Sequence, residues 1–320
     1  MLYIENLEEI IFHRHEMFLS DELVVLSGYV GPKPIERLKK LPIHSKIIYG
    51  MYGIEGIKAP LHNSLVRLQK TIDNIDIFYS QLPVHSKCYV WRANGQIVHA
   101  LIGSANFSSS GLTTPYREIL AEITFDTFLP LNEYIKEVLN NSISCLERGL
   151  KEIVEQQTII CLLTLLGENG ATQNSAGLNW GQNPKNHTNK NDAYIKIRAR
   201  DIRNYPNLFP PKQLNPLHFD GRGKKRRHND NIEIIWDDGV SMDGLFLGNQ
   251  TIDGVMYPKQ VSSFPHGSEM GKYFRERLKV PDGQPIRQFH LDNYGRDTVG
   301  VSLLGEGVYK FDFSVEIEKA

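Results

Sequence analysis

The sequence predicts two domains, an α/β domain over residues 1–166 and an all-β domain over residues 167–320. Three observations carry this reading. Short apolar runs alternate with amphipathic segments through the first half, the pattern of strands separated by helices. Residues Gly167 to Asp192 hold seven Asn and four Gly in 26 residues, a break in both pattern and composition. Beyond it, short β-rich runs alternate with Gly, Pro, Asn and Asp turns, the spacing of a small barrel or sandwich.

Taken in order, Leu23–Val30 (LVVLSGYV) predicts a buried strand, and Pro34–Leu41 a short helix with Pro in its first turn. Lys46–Tyr49 and Ile75–Tyr79 predict further strands on either side of an amphipathic segment near Leu61–Ile72. Lys87–Trp91, Ile97–Ile102 and Ile119–Phe125 are strand-like, and from Leu131 to Leu166 the apolar spacing predicts helix. After the break, strands are expected at Tyr194–Ile197, Ile232–Trp236, Val299–Leu304 and Tyr309–Val315. Within the break, Leu178-Asn179-Trp180-Gly181-Gln182 sets a Leu and a Trp among polar residues, which a plain spacer does not need.

A chain of 320 residues with 41% hydrophobic and 23% charged side chains can bury a full core and is not composed like a disordered one. No apolar run approaches the roughly 18 residues of a membrane span. The first residues carry acids and no basic stretch ahead of an apolar one, so no signal peptide is expected. Cys88, Cys145 and Cys161 are scattered and odd in number, which argues against a disulfide framework or a Cys-rich zinc site. The expectation is a cytoplasmic protein. Its net charge of −1 conceals an asymmetry. Residues 1–166 hold 15 basic and 18 acidic residues, residues 167–320 hold 21 and 19, and Ala193–Arg227 alone holds ten Lys/Arg against two Asp.

The chemistry-bearing signal is His85-Ser86-Lys87, followed by Gly103-Ser104-Ala105-Asn106 and then Glu118. Residues two apart on a strand face the same side, so His85 and Lys87 would project together. A Gly-Ser turn one strand later offers Asn106, with Ser104 in support. The set comprises an imidazole nucleophile, a fixed cation, an amide donor and a carboxylate to orient the imidazole. These are the parts needed to attack a phosphodiester without a metal.

H-x-K with G-S-x-N about 18 residues on resembles the phospholipase D superfamily. That superfamily usually has an Asp five residues after the Lys, where this chain has Arg92. The restriction-endonuclease branch shares the departure and completes the set with a Glu, for which Glu118 is the expected residue and Glu122 the fallback. With the GLNWGQ and NDAYI stretches, the chain resembles the NgoFVII-type restriction endonucleases. The resemblance implies an α/β phospholipase D-like nuclease and dimerisation domain. It also implies an all-β, B3-like pseudobarrel that recognises DNA, with an N-terminal arm at about 177–192. It further implies a metal-independent reaction through a covalent phosphohistidine, at an active site shared by a homodimer with His85 from both subunits. The partner it implies is double-stranded DNA. Some relatives also work with a separate helicase-like ATPase subunit, and a cognate DNA methyltransferase is expected to protect host DNA.

The chain supplies its own control for the motif. Leu41–Lys46 (LPIHSK) nearly repeats Leu82–Lys87 (LPVHSK), yet no G-S-x-N follows the first copy. No [Asp/Glu]-x-Lys tripeptide of the common metal-dependent nuclease core occurs, and no phosphate-binding loop, so neither a metal nor a nucleotide cofactor is expected. DNA contacts are expected from Asn179, Trp180, Gln182, Asn186 and Lys190 in the first arm. The basic block adds Arg198, Arg200, Lys224, Lys225, Arg226 and Arg227. A second arm offers Ser262, Ser263, His266, Glu269, Lys272, Tyr273 and Arg275, unless Gln260–Arg277 is only a surface helix. Two rival functions stay open: a phosphodiesterase acting on lipid, and a DNA-binding protein with an inactive nuclease domain.

Overall fold

The computed structural model describes residues 1–115, 117–147, 160–185, 189–212, 214–219, 225–227 and 229–315, with 214–219 and 225–227 described as backbone only. The chain divides into two units, Met1–Gln157 with Leu304–Val308, and Thr158–Leu303 with Tyr309–Ala320.

The first unit runs β1 (Leu2–Tyr3), α1 (Leu7–Phe18), β2 (Glu22–Ser27), α2 (Pro32–Arg37), β3 (His44–Tyr49), α3 (Tyr52–Glu55), α4 (Ala59–Thr71) and β4 (Ile75–Ser80). It continues with β5 (Cys88–Ala93), β6 (Gln96–Gly103), α5 (Ser109–Thr113), β7 (Leu120–Glu122), α6 (Phe128–Asn140) and β8 (Ser142–Ser144). Its eight strands make one sheet in the order β1-β7-β6-β5-β2-β3-β4-β8. β2, β3 and β4 are parallel, joined by helical crossovers, while β5 joins β2 antiparallel. β2 is buried on both faces, which its unbroken apolar run Leu23–Leu26 requires. α4 carries Pro60 in its first turn and buries Leu61, Leu65 and Leu68 at helical spacing. α6 packs Ile135 and Val138 against Val24, Leu26, Ile48 and Val90 of the sheet.

The helix expected over Leu131–Leu166 stops at Asn140. The Asn141 amide donates to the Glu137 carbonyl (2.8 Å) and the Ser142 hydroxyl to the Val138 carbonyl (2.7 Å). These side chains satisfy the last turn's carbonyls, and the chain returns as β8 beside β4. Cys161–Thr164, also read as helix, is a strand of the second unit, so the division falls ahead of it and not after Leu166.

The second unit contains β9 (Cys161–Thr164), β10 (Ile195–Lys196), α7 (Ala199–Asn204), β11 (Leu214–Phe219), β12 (Lys225–Arg227), β13 (Asp230–Trp236) and β14 (Ser241–Leu247). β15 (Gln250–Ile252), β16 (Val255–Tyr257), β17 (Gln260–Ser263), α8 (Ser268–Leu278), α9 (Gln288–Tyr294), β18 (Thr298–Gly305) and β19 (Val308–Asp312) complete it. Seven strands form a sheet in the order β10-β17-β14-β13-β19-β18-β9, and its end strands β9 and β10 meet, giving a near-barrel. The β13–β14 hairpin turns through Asp238-Gly239, where Gly239 has φ +85°, a conformation open to glycine. Trp236, Phe246, Phe274, Phe311 and Phe313 fill the interior. The Asn-rich break is part of this fold. Gly177–Gln182 forms a 3₁₀ turn, Leu178 enters the core, and the Trp180 ring meets Tyr194 edge-on at 5.8 Å.

Phe246 is fully buried among Phe209 and Tyr309. Phe246→Ala is expected to destabilise the second unit by about 3–5 kcal/mol, read as a lower denaturant midpoint at unchanged slope.

Candidate active site

The polar cluster forms where three strand ends meet. β2 and β5 are antiparallel with Leu26 opposite Cys88, and β5 and β6 pair Cys88 with Ile102. The end of β2 (Ser27, Gly28), the approach to β5 (His85–Lys87) and the exit of β6 (Gly103–Asn106) therefore share one edge of the sheet. His85, Ser86 and Lys87 all lie just ahead of β5, so Lys87 falls outside the strand expected to begin with it and strand alternation does not aim the pair. Their segment is placed by Val84 N–H donating to the Gly50 carbonyl (3.1 Å). A Cβ on Gly50 would stand 2.1 Å from the Val84 oxygen, so only glycine permits this approach.

His85 is exposed and Lys87 is buried beneath it. Lys87 Nζ donates to the His85 carbonyl (2.7 Å) and lies 3.1 and 3.2 Å from Nε2 and Nδ1 of the same ring. Burial pushes the Lys87 ammonium below its ordinary pKa, opposed by the nearby carboxylates of Glu306 and Glu118. The ring edge of Tyr29 meets His85 at 5.8 Å. Asn106 is 4% exposed. Its Oδ1 accepts from Tyr29 N–H (3.1 Å) and Ser27 Oγ (3.3 Å), which turns Nδ2 outward. Nδ2 donates to the carboxylate of Glu306 (2.7 Å), within the segment Leu304–Val308 that belongs to this unit.

Glu118 is half-buried beside Arg117 (3.7 Å), and burial raises its pKa against the opposing hydrogen bond from Ser104. Ser104 also accepts from Ile119 N–H (3.1 Å). The fallback Glu122 is taken up elsewhere, paired with Arg14 (3.0 Å) and the N-terminus and accepting from the Tyr3 hydroxyl. Arg92 pairs with Glu22 (3.2 Å) and donates to Asn132, a role in the sheet. The first motif copy is likewise committed, His44 to Asp76 (2.9 Å) and Lys46 to Glu22 (2.7 Å). Ser27, Gly28, Tyr29 and Glu306 join the cluster with no local motif to announce them. The only trace in sequence was the polar end of an apolar strand.

The profile described as NgoFVII restriction endonuclease N-terminal PLD domain matches residues 5–152, and that of the NgoFVII C-terminal B3-like DNA-binding domain matches residues 153–304. The chain belongs to the NgoFVII restriction endonuclease family. The family places it among hydrolases acting on DNA, with a phospholipase D-like nuclease domain and a B3-like domain whose partner is DNA. Among solved structures it is similar to NucT from Helicobacter pylori, at 15% identity and TM-score 0.33, covering 45% of this chain and 97% of that one. It is also similar to Nuc from Salmonella typhimurium, a phospholipase D family member, at 13% identity and TM-score 0.28, covering 43% and 87%. No curated protein matches significantly. Among the described residues, no helix is long and apolar enough to cross a membrane.

Within the B3-like domain the expected DNA contacts separate into two sets. Asn179, Ser262, Ser263, Tyr273 and Arg275, expected as contacts, are buried and engaged within the domain. Asn179 bonds both ways with the backbone of Ile286, and Ser262 donates to the Ala193 carbonyl. Ser263 accepts from Met270 N–H, and Tyr273 stacks on Trp236 at 4.2 Å. Gln182 is half-buried and donates to the carbonyls of Lys190 and Gly283. Trp180 is half-buried, and Arg198 donates to the Leu166 carbonyl. Lys190, Arg200, His266, Glu269 and Lys272 are exposed. Asn186 and Lys224 lie outside the described residues, as do the side chains of Lys225, Arg226 and Arg227 on β12. Gln260–Arg277, expected as a second arm or a surface helix, comprises β17 and most of α8, which buries one side and exposes Glu269, Lys272 and Glu276 on the other.

A Cβ at Gly28 would stand 2.8 Å from His85 Cδ2 and 3.3 Å from Lys87 Nζ. Gly28→Ala is expected to displace the imidazole and lower cleavage about tenfold or more, while the melting temperature shifts little because the ring can move into solvent.

Proposed function

We propose that this protein is a site-specific endonuclease that cuts double-stranded DNA without a metal ion, through a covalent phosphohistidine at a site shared by two copies of the chain. The observation carrying the reading is the gathering of His85, Lys87 and Asn106, with Glu118 beside them, at one sheet edge of a chain in this family. An imidazole nitrogen of His85 attacks phosphorus, the N–P bond forms, and the P–O bond to the departing oxygen breaks. That oxygen takes its proton from His85 of the partner subunit. Water then attacks phosphorus, gives its proton to the same imidazole, and the N–P bond breaks.

Two copies are invoked for a geometric reason. Nucleophile and general acid must stand on opposite sides of the phosphorus, and one imidazole cannot do both. The other His-Ser-Lys of this chain is committed elsewhere, His44 to Asp76 and Lys46 to Glu22. Lys87 supplies a charge that is already desolvated, so it does not reorganise as negative charge grows on the phosphoryl oxygens. Asn106 Nδ2 already holds a carboxylate oxygen, an anion of the kind a phosphoryl oxygen presents. Glu118 orients the histidine. A cognate methyltransferase, and a separate helicase-like ATPase as in some relatives, complete the proposed system.

Plasmid cleavage in excess EDTA is the direct test: cutting persists if the reading is right, and its abolition by chelator sinks it. His85→Ala is expected to lose about a thousandfold or more in cleavage while keeping its affinity for DNA. A variant that still cuts would remove the nucleophile assignment.

The pH profile offers a separate check. Burial already raises the pKa of Glu118, and the Ser104 hydrogen bond opposes that rise by favouring the carboxylate. Ser104→Ala removes the opposition, so the acid limb of the rate profile should move to higher pH. A limb that stays in place, or moves down, would show that Glu118 does not set it.

A further inference from the structure

We propose that Arg275, buried and unable to reach DNA, is a positioning residue that sets sequence selectivity by locking the two recognition arms of the B3-like domain together. The inference rests on the reading of this domain as the DNA-recognising part. Arg275 lies on α8 and is fully buried. Its partners are backbone carbonyls drawn from three stretches of chain. Nε donates to Gln284 (2.9 Å), and Nη1 to Gly271 one turn back on the helix (3.0 Å). Longer contacts reach Asn191 (3.4 Å) and Lys190 (3.5 Å) in the first arm. Burial pushes the guanidinium below its ordinary pKa, with Asp282 opposing, yet a guanidinium still carries its charge. A buried charge with five donors is costly unless carbonyls converge on it, so it holds those carbonyls in one arrangement.

The surrounding packing allows little else. A Cβ on Gly271 would stand 1.6 Å from the Asn191 carbonyl oxygen, so the first arm runs directly against α8. Asn191, itself buried, accepts from Gly283 N–H (2.7 Å), and Gln182 donates to both Lys190 and Gly283. One arm presents exposed Lys190, while β17–α8 presents His266, Glu269 and Lys272. Reading bases needs groups from both arms at fixed separation, whereas attraction to phosphates does not. Loosening the clamp should therefore cost selectivity and spare non-specific affinity, because pre-organisation is lost and charge is not.

The test uses the full-length protein and two duplex probes: a pool enriched by the wild-type protein from a randomised library, and the unenriched pool. Arg275→Gln is expected to narrow the affinity ratio between them about tenfold or more. Affinity for the unenriched pool, and its salt dependence, should stay unchanged. A variant that is merely less folded would lose both affinities in equal proportion and leave the ratio intact, which would overturn the proposal. Should Arg275→Gln fail to fold, Arg275→Lys decides, since it keeps the buried charge but gives up the planar fork that spans the arms. An unchanged ratio there equally overturns the clamp. If the wild-type protein enriches no sequence at all, the DNA-reading assignment fails first, and the two failures are distinguishable.

Discussion

The hydrogen bond from Tyr29 N–H to Asn106 Oδ1 orders the polar end of the first sheet. An amide side chain has two nearly identical ends, and only its partners decide which faces a ligand. Here the backbone leaving β2 and the Ser27 hydroxyl claim the oxygen, so the N–H₂ is left to meet an anion. Ser27 in turn accepts from Phe107 N–H, and Val30 bridges to Phe107, which ties the loop after β6 to the loop after β2. Gly28 leaves the gap into which His85 and Lys87 fit. Displacing any of these strands would separate the cation from the amide.

The two His-Ser-Lys copies show how environment, and not tripeptide, decides chemistry. The copy on β3 sits within the parallel part of the sheet, where Asp76 on β4 and Glu22 on β2 engage its side chains. The second copy approaches β5, whose neighbour β2 ends at Ser27 and Gly28, and no carboxylate pairs with Lys87 at hydrogen-bonding range among the described residues. Its ammonium instead caps the His85 carbonyl and lies against the ring. The same residues bind carboxylates in one place and form an imidazole–ammonium pair in the other.

The second unit applies a related rule to recognition. Polar residues in an Asn-rich, Arg-rich stretch look alike in sequence, yet a buried polar group must find partners and an exposed one need not. Asn179, Ser262, Ser263 and Arg275 spend their hydrogen bonds on backbone, and so build the arms whose outer faces carry Lys190, His266, Glu269 and Lys272. The residue types were legible, but the side on which each one lies was not. The same ambiguity holds over residues 131–166. Apolar residues there fit helical spacing, but Asn141 and Ser142 turn their side chains back onto the helix and end it.

By itself, the sequence determined the α/β-then-β order, the strands carrying unbroken or alternating apolar runs, and the residue types of the motif, because periodicity and composition are local properties. Its division of charge also pointed to the half that meets DNA. Only the tertiary structure decided that Glu118 lies beside Lys87 while Glu122 is spent on Arg14, and that Ser27, Gly28 and Tyr29 belong to the cluster. It alone placed Arg275 in the interior with its guanidinium on backbone carbonyls. Those outcomes depend on which strands become neighbours and which side chains lose water, and neither is a property of any one stretch of chain.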